Sequence, residues 1–224
     1  TSKFNNFTAN DYMRIIIGQA KSAFRFREIM DQGKIMLINL SKGKIGDINA
    51  NLLGMIVVGK ILMAALGRVD IPQEERRDFN LYIDEFQNFT TESIATILSE
   101  ARKYRLNLTI AHQFIGQLTE KVRDAVFGNV GSIIAFRVGA QDSEFLLKQF
   151  VPVFTEEDLV NIDNFNSYVK LLVNGETTKP FNIRTMKSKI GEMTTALHLK
   201  KLSREKYGRP REEIEREIYK RLRD

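Results

Sequence analysis

The chain has 224 residues, with 34 Lys and Arg against 28 Asp and Glu and a formal net charge of +6. Apolar residues make up 43% and charged residues 28%, a globular balance that excludes wholesale disorder and collagen-like repeats. With no cysteine and two histidines, His112 and His198, the chain has no disulfide framework, no Cys-ligated zinc site and no thiol nucleophile, and a His-rich metal site has little to draw on.

Taken in chain order, residues 10–31 read as a helix, with Tyr12, Ile15, Ile16, Phe24 and Ile29 at roughly helical spacing and Gly33 as its stop. The run KIMLINL, residues 34–40, reads as a strand buried on both faces. After the turn Ser41-Lys42-Gly43-Lys44, Asp47 is placed to cap a helix running through Leu66 and ending at Gly67. Its apolar stretch, residues 52–67, includes Lys60 and falls short of the roughly 20 residues a membrane span needs, so it is read as a buried helix. Residues 68–78, charged and carrying Pro72, read as a surface loop.

Strand and helix then alternate. Strands are expected at 79–83, 106–111 and 132–137, and helices at 91–105 (capped by Thr90), near 114–126, and over about 142–150. Residues 168–173 and 180–184 read as a hairpin around Asn174-Gly175. Such alternation predicts an α/β layer with a mostly parallel sheet and flanking helices. The polar N-terminus is no signal peptide, and Thr1 in place of Met leads us to expect a piece of a longer protein.

Charge divides unevenly. Residues 1–186 hold 22 basic and 21 acidic side chains, a net of +1, whereas residues 187–224 hold 12 and 7, a net of +5. We therefore expect two parts, a core over 1–186 and a basic helical tail over 187–224. The tail reads as two helices broken at Gly208-Arg209-Pro210. The second carries Ile214, Ile218 and Leu222 on one face and the i,i+4 pairs Glu212/Arg216 and Glu217/Arg221. It reads as an amphipathic helix docked on a neighbour, with a nucleic-acid arm as the alternative.

The chemistry concentrates at strand ends. Parallel strands are apolar because both faces are covered, and functional groups gather beyond their carboxyl ends. Phe79–Ile83 ends in the adjacent carboxylates Asp84 and Glu85, the pattern of a Walker B motif, in which the Asp serves Mg²⁺ and the Glu polarises the attacking water. The next strand ends in His112-Gln113, where an amide can bond a γ-phosphate or a water; His112 itself reads as a packed or solvent-edge side chain. The strand after that ends in Arg137, read either as a stabiliser of charge in phosphoryl transfer or as a structural salt bridge to Asp142 or Glu144. Lys42 and Lys44 read as a basic turn able to meet phosphate.

The segments LYIDEFQNF, SEARKYRLNLTIAHQF and NVGSIIAFRVGAQDSEFL together resemble the C-terminal half of HerA/FtsK-type ATPases, closest to the type IV secretion and conjugation coupling proteins and their TraG/TraD/VirB4-like relatives. The resemblance spans about residues 10–185. It implies a RecA-like core, incomplete here, a ring hexamer, ATP and Mg²⁺ as ligands, ATP-driven movement of DNA or of protein, secretion-system proteins as further partners, and a cytoplasmic location at the bacterial inner membrane. With no base-reading motif in the sequence, contact with DNA is expected to be sequence-independent. It also implies Asp84 as Mg²⁺ carboxylate, Glu85 as catalytic glutamate, Gln113 as sensor and Arg137 as the arginine reaching a neighbouring subunit's nucleotide. The family's phosphate-binding Walker A loop is not found. Its nearest approach, residues 54–61, has Ile61 where Ser or Thr belongs and lies in the apolar helix, so its glycines are read as packing positions and this chain by itself as inactive. Two rival readings stay open: an inactive ATPase-like scaffold, and a HerA-like DNA-processing translocase.

Overall fold

The computed structural model describes residues 10–90, 94 and 98–221. Its helices are α1 (Asp11–Ile17), α2 (Phe26–Asp31), α3 (Lys42–Ile45), α4 (Asp47–Leu66), α5 (Glu120–Asn129), α6 (Ala140–Phe150), α7 (Glu156–Asn161), α8 (Met193–Tyr207) and α9 (Arg211–Arg221). Its strands are β1 (Phe79–Ile83), β2 (Leu106–Ile110), β3 (Ile133–Ala135), β4 (Asn166–Lys170), β5 (Leu172–Val173), β6 (Glu176–Thr177) and β7 (Phe181–Arg184). The chain divides into two compact units. One comprises Thr1–Leu81, Ala101–Asn107 and Ile190–Asp224, the other Tyr82–Glu100 and Leu108–Lys189.

In the first unit, α4 spans Asp47–Leu66 with Gly67 at its C-cap, as the sequence predicts, but the N-cap is Gly46 and Asp47 lies inside the first turn, so the expected cap by Asp47 does not form. Ala50, Gly54, Val58, Ile61, Leu62 and Ala65 form its buried stripe, spaced as one face of a helix. The helix and the turn after it are long and apolar enough to cross a membrane by length and composition alone. A buried stripe of that spacing is what a core helix shows. The expected helix over 10–31 is two helices instead. It breaks at Gly18 and resumes at Phe26, and in between the Ser22 hydroxyl accepts from the Phe24 amide (3.3 Å) and donates to its carbonyl (3.1 Å). Such local side-chain bonds compete with the helical ladder.

Residues 34–40 form neither helix nor strand, so the expected buried strand is absent. Ile35 and Leu37 are 92% and 86% exposed. An apolar run becomes a strand only where a second strand takes its amides and carbonyls. The expected surface loop over 68–78 also holds a buried group. Arg68 is fully enclosed, its Nε donating to Asp31 Oδ1 (2.9 Å) and its Nη1 to the Tyr104 carbonyl (3.0 Å).

Strands β1 and β2 form a small parallel pair. The Phe79 amide donates to the Arg105 carbonyl at the start, and the Ala111 amide donates to the Ile83 carbonyl at the end, both at 2.9 Å. The mostly parallel sheet is otherwise not found. Strand β3 pairs with β4, and β4 with β7, all antiparallel, and β5–β6 form a separate antiparallel hairpin. The turn joining β5 to β6 is Asn174-Gly175, at φ 53° and 86°, the left-handed pair that a two-residue hairpin demands. Phe150, Leu159, Leu146, Ile162 and Tyr168 fill the core of the second unit between α6, α7 and the antiparallel sheet.

The expected helix over 91–105 lies partly outside the described residues. Ile94 and residues 98–100 are helical, followed by a tight turn over Ala101–Tyr104. The tail forms the two expected helices. Helix α9 buries Ile214, the Ile218 side chain lies against Gly18 at the end of α1, and Arg211 reaches Asp11 at 3.8 Å. This is the docked amphipathic helix of the sequence reading. The Glu212–Arg216 pair forms at 3.9 Å, while Glu217 pairs with Arg209 and Arg221 donates to backbone carbonyls. Leu222 lies outside the described residues.

Candidate functional site

Asp84 and Glu85 stand where β1 ends, and Gln113 stands where β2 ends. Parallel pairing brings these two ends together by construction, because strands that start level also finish level. The chain reverses at Glu85, which takes φ 51°, a left-handed conformation costing about 1 kcal/mol or more for a residue with a Cβ. Two contacts hold it there. The Phe86 amide donates to the Ala111 carbonyl at 2.9 Å, and the Phe86 ring is fully buried. Strain of this kind persists where its surroundings over-determine it.

The consequence is a carboxylate gripped on both oxygens. Gln113 Nε2 donates to Glu85 Oε1 at 2.7 Å, and Gln87 Nε2 donates to Glu85 Oε2 at 2.6 Å. Of the residues singled out from sequence, Glu85 and Gln113 are thus in direct contact. Asp84 is exposed, and its Oδ1 accepts the Glu85 amide at 3.0 Å. Among the described residues no cluster of three His, Cys, Asp or Glu could hold a metal ion. The acidic pair therefore does not fit a resident structural metal. Glu85 is taken up on both oxygens, which leaves Asp84 as the exposed carboxylate of the kind that suits Mg²⁺, an ion that takes one or two carboxylates and otherwise keeps water and phosphate oxygens.

Arg137, just past β3, donates through Nε to the Ile162 carbonyl (2.9 Å) and through Nη2 to Asn164 Oδ1 (3.1 Å). It has no ion-pair partner among the described residues, so the salt bridge to Asp142 or Glu144 does not form. Asp142 is buried and accepts the Ile115 amide at 3.1 Å instead. His112 is half-buried with Nδ1 shielded and unpartnered, a packed side chain as expected. Residues 54–61 lie within α4, their amides committed to the helix. Gly54 is buried there, but a Cβ at Gly59 would meet nothing within 4 Å, so close packing does not explain the second glycine. Lys42 and Lys44 are exposed in α3, with Lys42 3.7 Å from Asp47.

Sequence reasoning missed Gln87. The available signal was its place two residues after the glutamate of a strand-end acidic pair, where a tight reversal folds it back onto that carboxylate. It missed Asn164 as well, which lies 27 positions from Arg137 in sequence.

The parallel pair thus carries two carboxylates and an amide at adjoining strand ends, and comparison with known proteins gives this arrangement a context. Residues 78–150, less than half of the chain, match the family model described as the TraM recognition site of TraD and TraG. The chain is also similar to a solved bacterial conjugative coupling protein, TrwBdeltaN70 in its unbound monoclinic form, with a TM-score of 0.52 and 15% identity over 76% of this chain and 41% of that one. It thus spans about two fifths of the coupling protein it matches. No curated protein matches. The two findings support a relationship to TraG/TraD-like type IV coupling proteins, and the second shows a mixed α/β fold similar to part of one.

Proposed function

We propose that this chain is the water-activating part of an ATP-hydrolysing motor of the conjugative coupling kind, working within a RecA-like domain of a ring hexamer at the cytoplasmic face of the inner membrane. The observation that carries the reading is the 2.7 Å contact between Glu85 and Gln113 across the ends of β1 and β2. In-line attack on a γ-phosphate needs a group to orient water and a group to sense phosphate, side by side. Asp84 would hold Mg²⁺ through its exposed carboxylate, Glu85 would orient the water, Gln113 would meet the γ-phosphate, and Arg137 would serve a neighbouring subunit's nucleotide. The metal's contribution when bound is to neutralise charge on the phosphates. The phosphate grip must come from residues other than 54–61, whose amides are spent in α4. The substrate moved is DNA, contacted through its phosphates and therefore without sequence preference and with strong salt dependence.

The test is Glu85→Gln in the intact protein. Nucleotide binding should persist while turnover falls by about a hundredfold or more, the scale of a lost general base. Unchanged turnover would overturn the catalytic assignment.

A second reading has its own support. The matched family model is named for recognition of TraM, so residues 78–150 would form a docking surface for a TraM-like protein. On that reading alone, Glu85→Gln changes neither nucleotide binding nor turnover.

A further inference from the structure

The two amides on Glu85 differ in their setting, and the difference assigns them different tasks. Gln113 is exposed, and its bond to Oε1 is solvent-facing. Gln87 is half-buried, its bond to Oε2 is part-buried, and its own Oε1 is shielded from solvent without a partner. The carboxylate fixes which way the Gln87 amide points. Turned over, it would set oxygen against carboxylate oxygen, so Nε2 stays on Glu85. The chain supports this placement from both sides, through the Asn88 amide on the Glu85 carbonyl (2.9 Å) and the Thr90 hydroxyl on the Gln87 carbonyl (3.2 Å).

We propose that Gln87 is the positioning residue of Glu85, holding Oε2 permanently, while Gln113 is an exchangeable donor that occupies Oε1 until a phosphate draws it away. The proposal rests on the catalytic reading of Glu85 and adds a regulation to it. With both donors in place the carboxylate is oriented but has one oxygen occupied by Gln113. When Gln113 turns to an anionic phosphate, Oε1 is released toward water and Oε2 remains held. Charge favours the exchange, since a polyanionic phosphate competes well with a single carboxylate for an exposed amide. The carboxylate does not swing freely after release because Gln87 still restricts it, and restriction of that kind is what orientation in catalysis requires.

Two measurements on the intact protein test this. In the first, turnover and KM for ATP are compared for wild type, Gln87→Met and Gln87→Glu. Met is of similar length without a donor, and Glu sets a second carboxylate against the first. We expect kcat to fall about tenfold to a hundredfold in both, with KM unchanged, as a misoriented catalytic group does. In the second, glutamine side-chain amides are followed by ¹⁵N NMR, with Gln87 and Gln113 assigned by substitution. Glu85→Ala should shift both amides, whereas a non-hydrolysable ATP analogue should shift Gln113 and leave Gln87 in place. Turnover that depends on Glu85 but is indifferent to both Gln87 variants would overturn the positioning role and leave the catalytic reading standing. An analogue that shifts Gln87 as much as Gln113 would overturn the exchange. Indifference of turnover to Glu85 itself, with both amides still responding to Glu85→Ala, would overturn the catalytic reading and leave only the clamp.

Discussion

Arg68 illustrates how much one side chain can demand of its surroundings. Its guanidinium is fully buried, Asp31 is its one carboxylate partner among the described residues, and Nη2 has no partner at all. Asp31 is 30% exposed and is shared with Arg27. Taking a partner away from a buried charge is far worse than removing the charge itself. Asp31→Ala should therefore destabilise by about 3 kcal/mol, whereas Arg68→Met, which keeps the volume and removes the charge, should cost less, because Asp31 keeps Arg27 and some solvent and the Tyr104 carbonyl loses one donor. Chemical denaturation of the two variants checks the order, and a larger loss for Arg68→Met would contradict it. Sequence reading placed Arg68 in a surface loop because charge and Pro72 mark exposure in the statistical sense. Only its partners, 37 and 36 residues away, reveal the burial. Asp84 and Glu85 were legible for the opposite reason. Two carboxylates closing a five-residue apolar strand are a local pattern, and no distant contact is needed to notice them.

At the scale of elements, local signals again separate what could be read from what could not. The Asn174-Gly175 turn and strand β1 emerge at their expected positions because each is specified by contiguous residues. The pairing of β3 is not: an apolar run of three to six residues is compatible with parallel and antiparallel neighbours alike, and the partner here, β4, arrives more than thirty residues later. Helix α7 opens with a capping box, in which the Asp158 amide donates to the Thr155 hydroxyl (3.2 Å) and the Asp158 carboxylate accepts the Thr155 amide (2.7 Å) and hydroxyl (2.8 Å). The bonds from the Thr155 amide and then its hydroxyl hold the Asp158 carboxyl below its ordinary range. A carboxyl depressed on folding contributes stability above its unfolded value, near pH 4, and that contribution disappears as pH falls through the lower folded value. Asp158→Asn should therefore lower the melting temperature at pH 7, and the gap from wild type should close as the solution is acidified below pH 4. A gap that widened on acidification would contradict the cap. Helix α9 depends on Ile214, its one buried residue. Ile214→Ala should cost about 2 kcal/mol or more and expose the 208–210 break to protease, whereas Arg216→Gln, in an exposed pair, should do neither.

For the whole molecule, the net charge of +6 is a poor guide to partners. The core is nearly neutral, and within α9 and its approach the arginines are largely occupied by their own acids: Arg209 with Glu217, Arg211 with Glu215, Arg216 with Glu212. The case for a motor rests instead on a carboxylate and an amide that parallel strands bring to one place, and on the match of residues 78–150 to TraD and TraG. The most direct measurement is a double-mutant cycle on ATP turnover of the intact protein, using Glu85→Gln, Gln113→Leu and the two combined. Groups that act as one unit on one reaction lose their effect together. We expect each single variant to be strongly impaired and the double variant to be about as slow as the slower single. Independent, multiplicative losses, or no loss in either single variant, would contradict a shared site at the ends of β1 and β2.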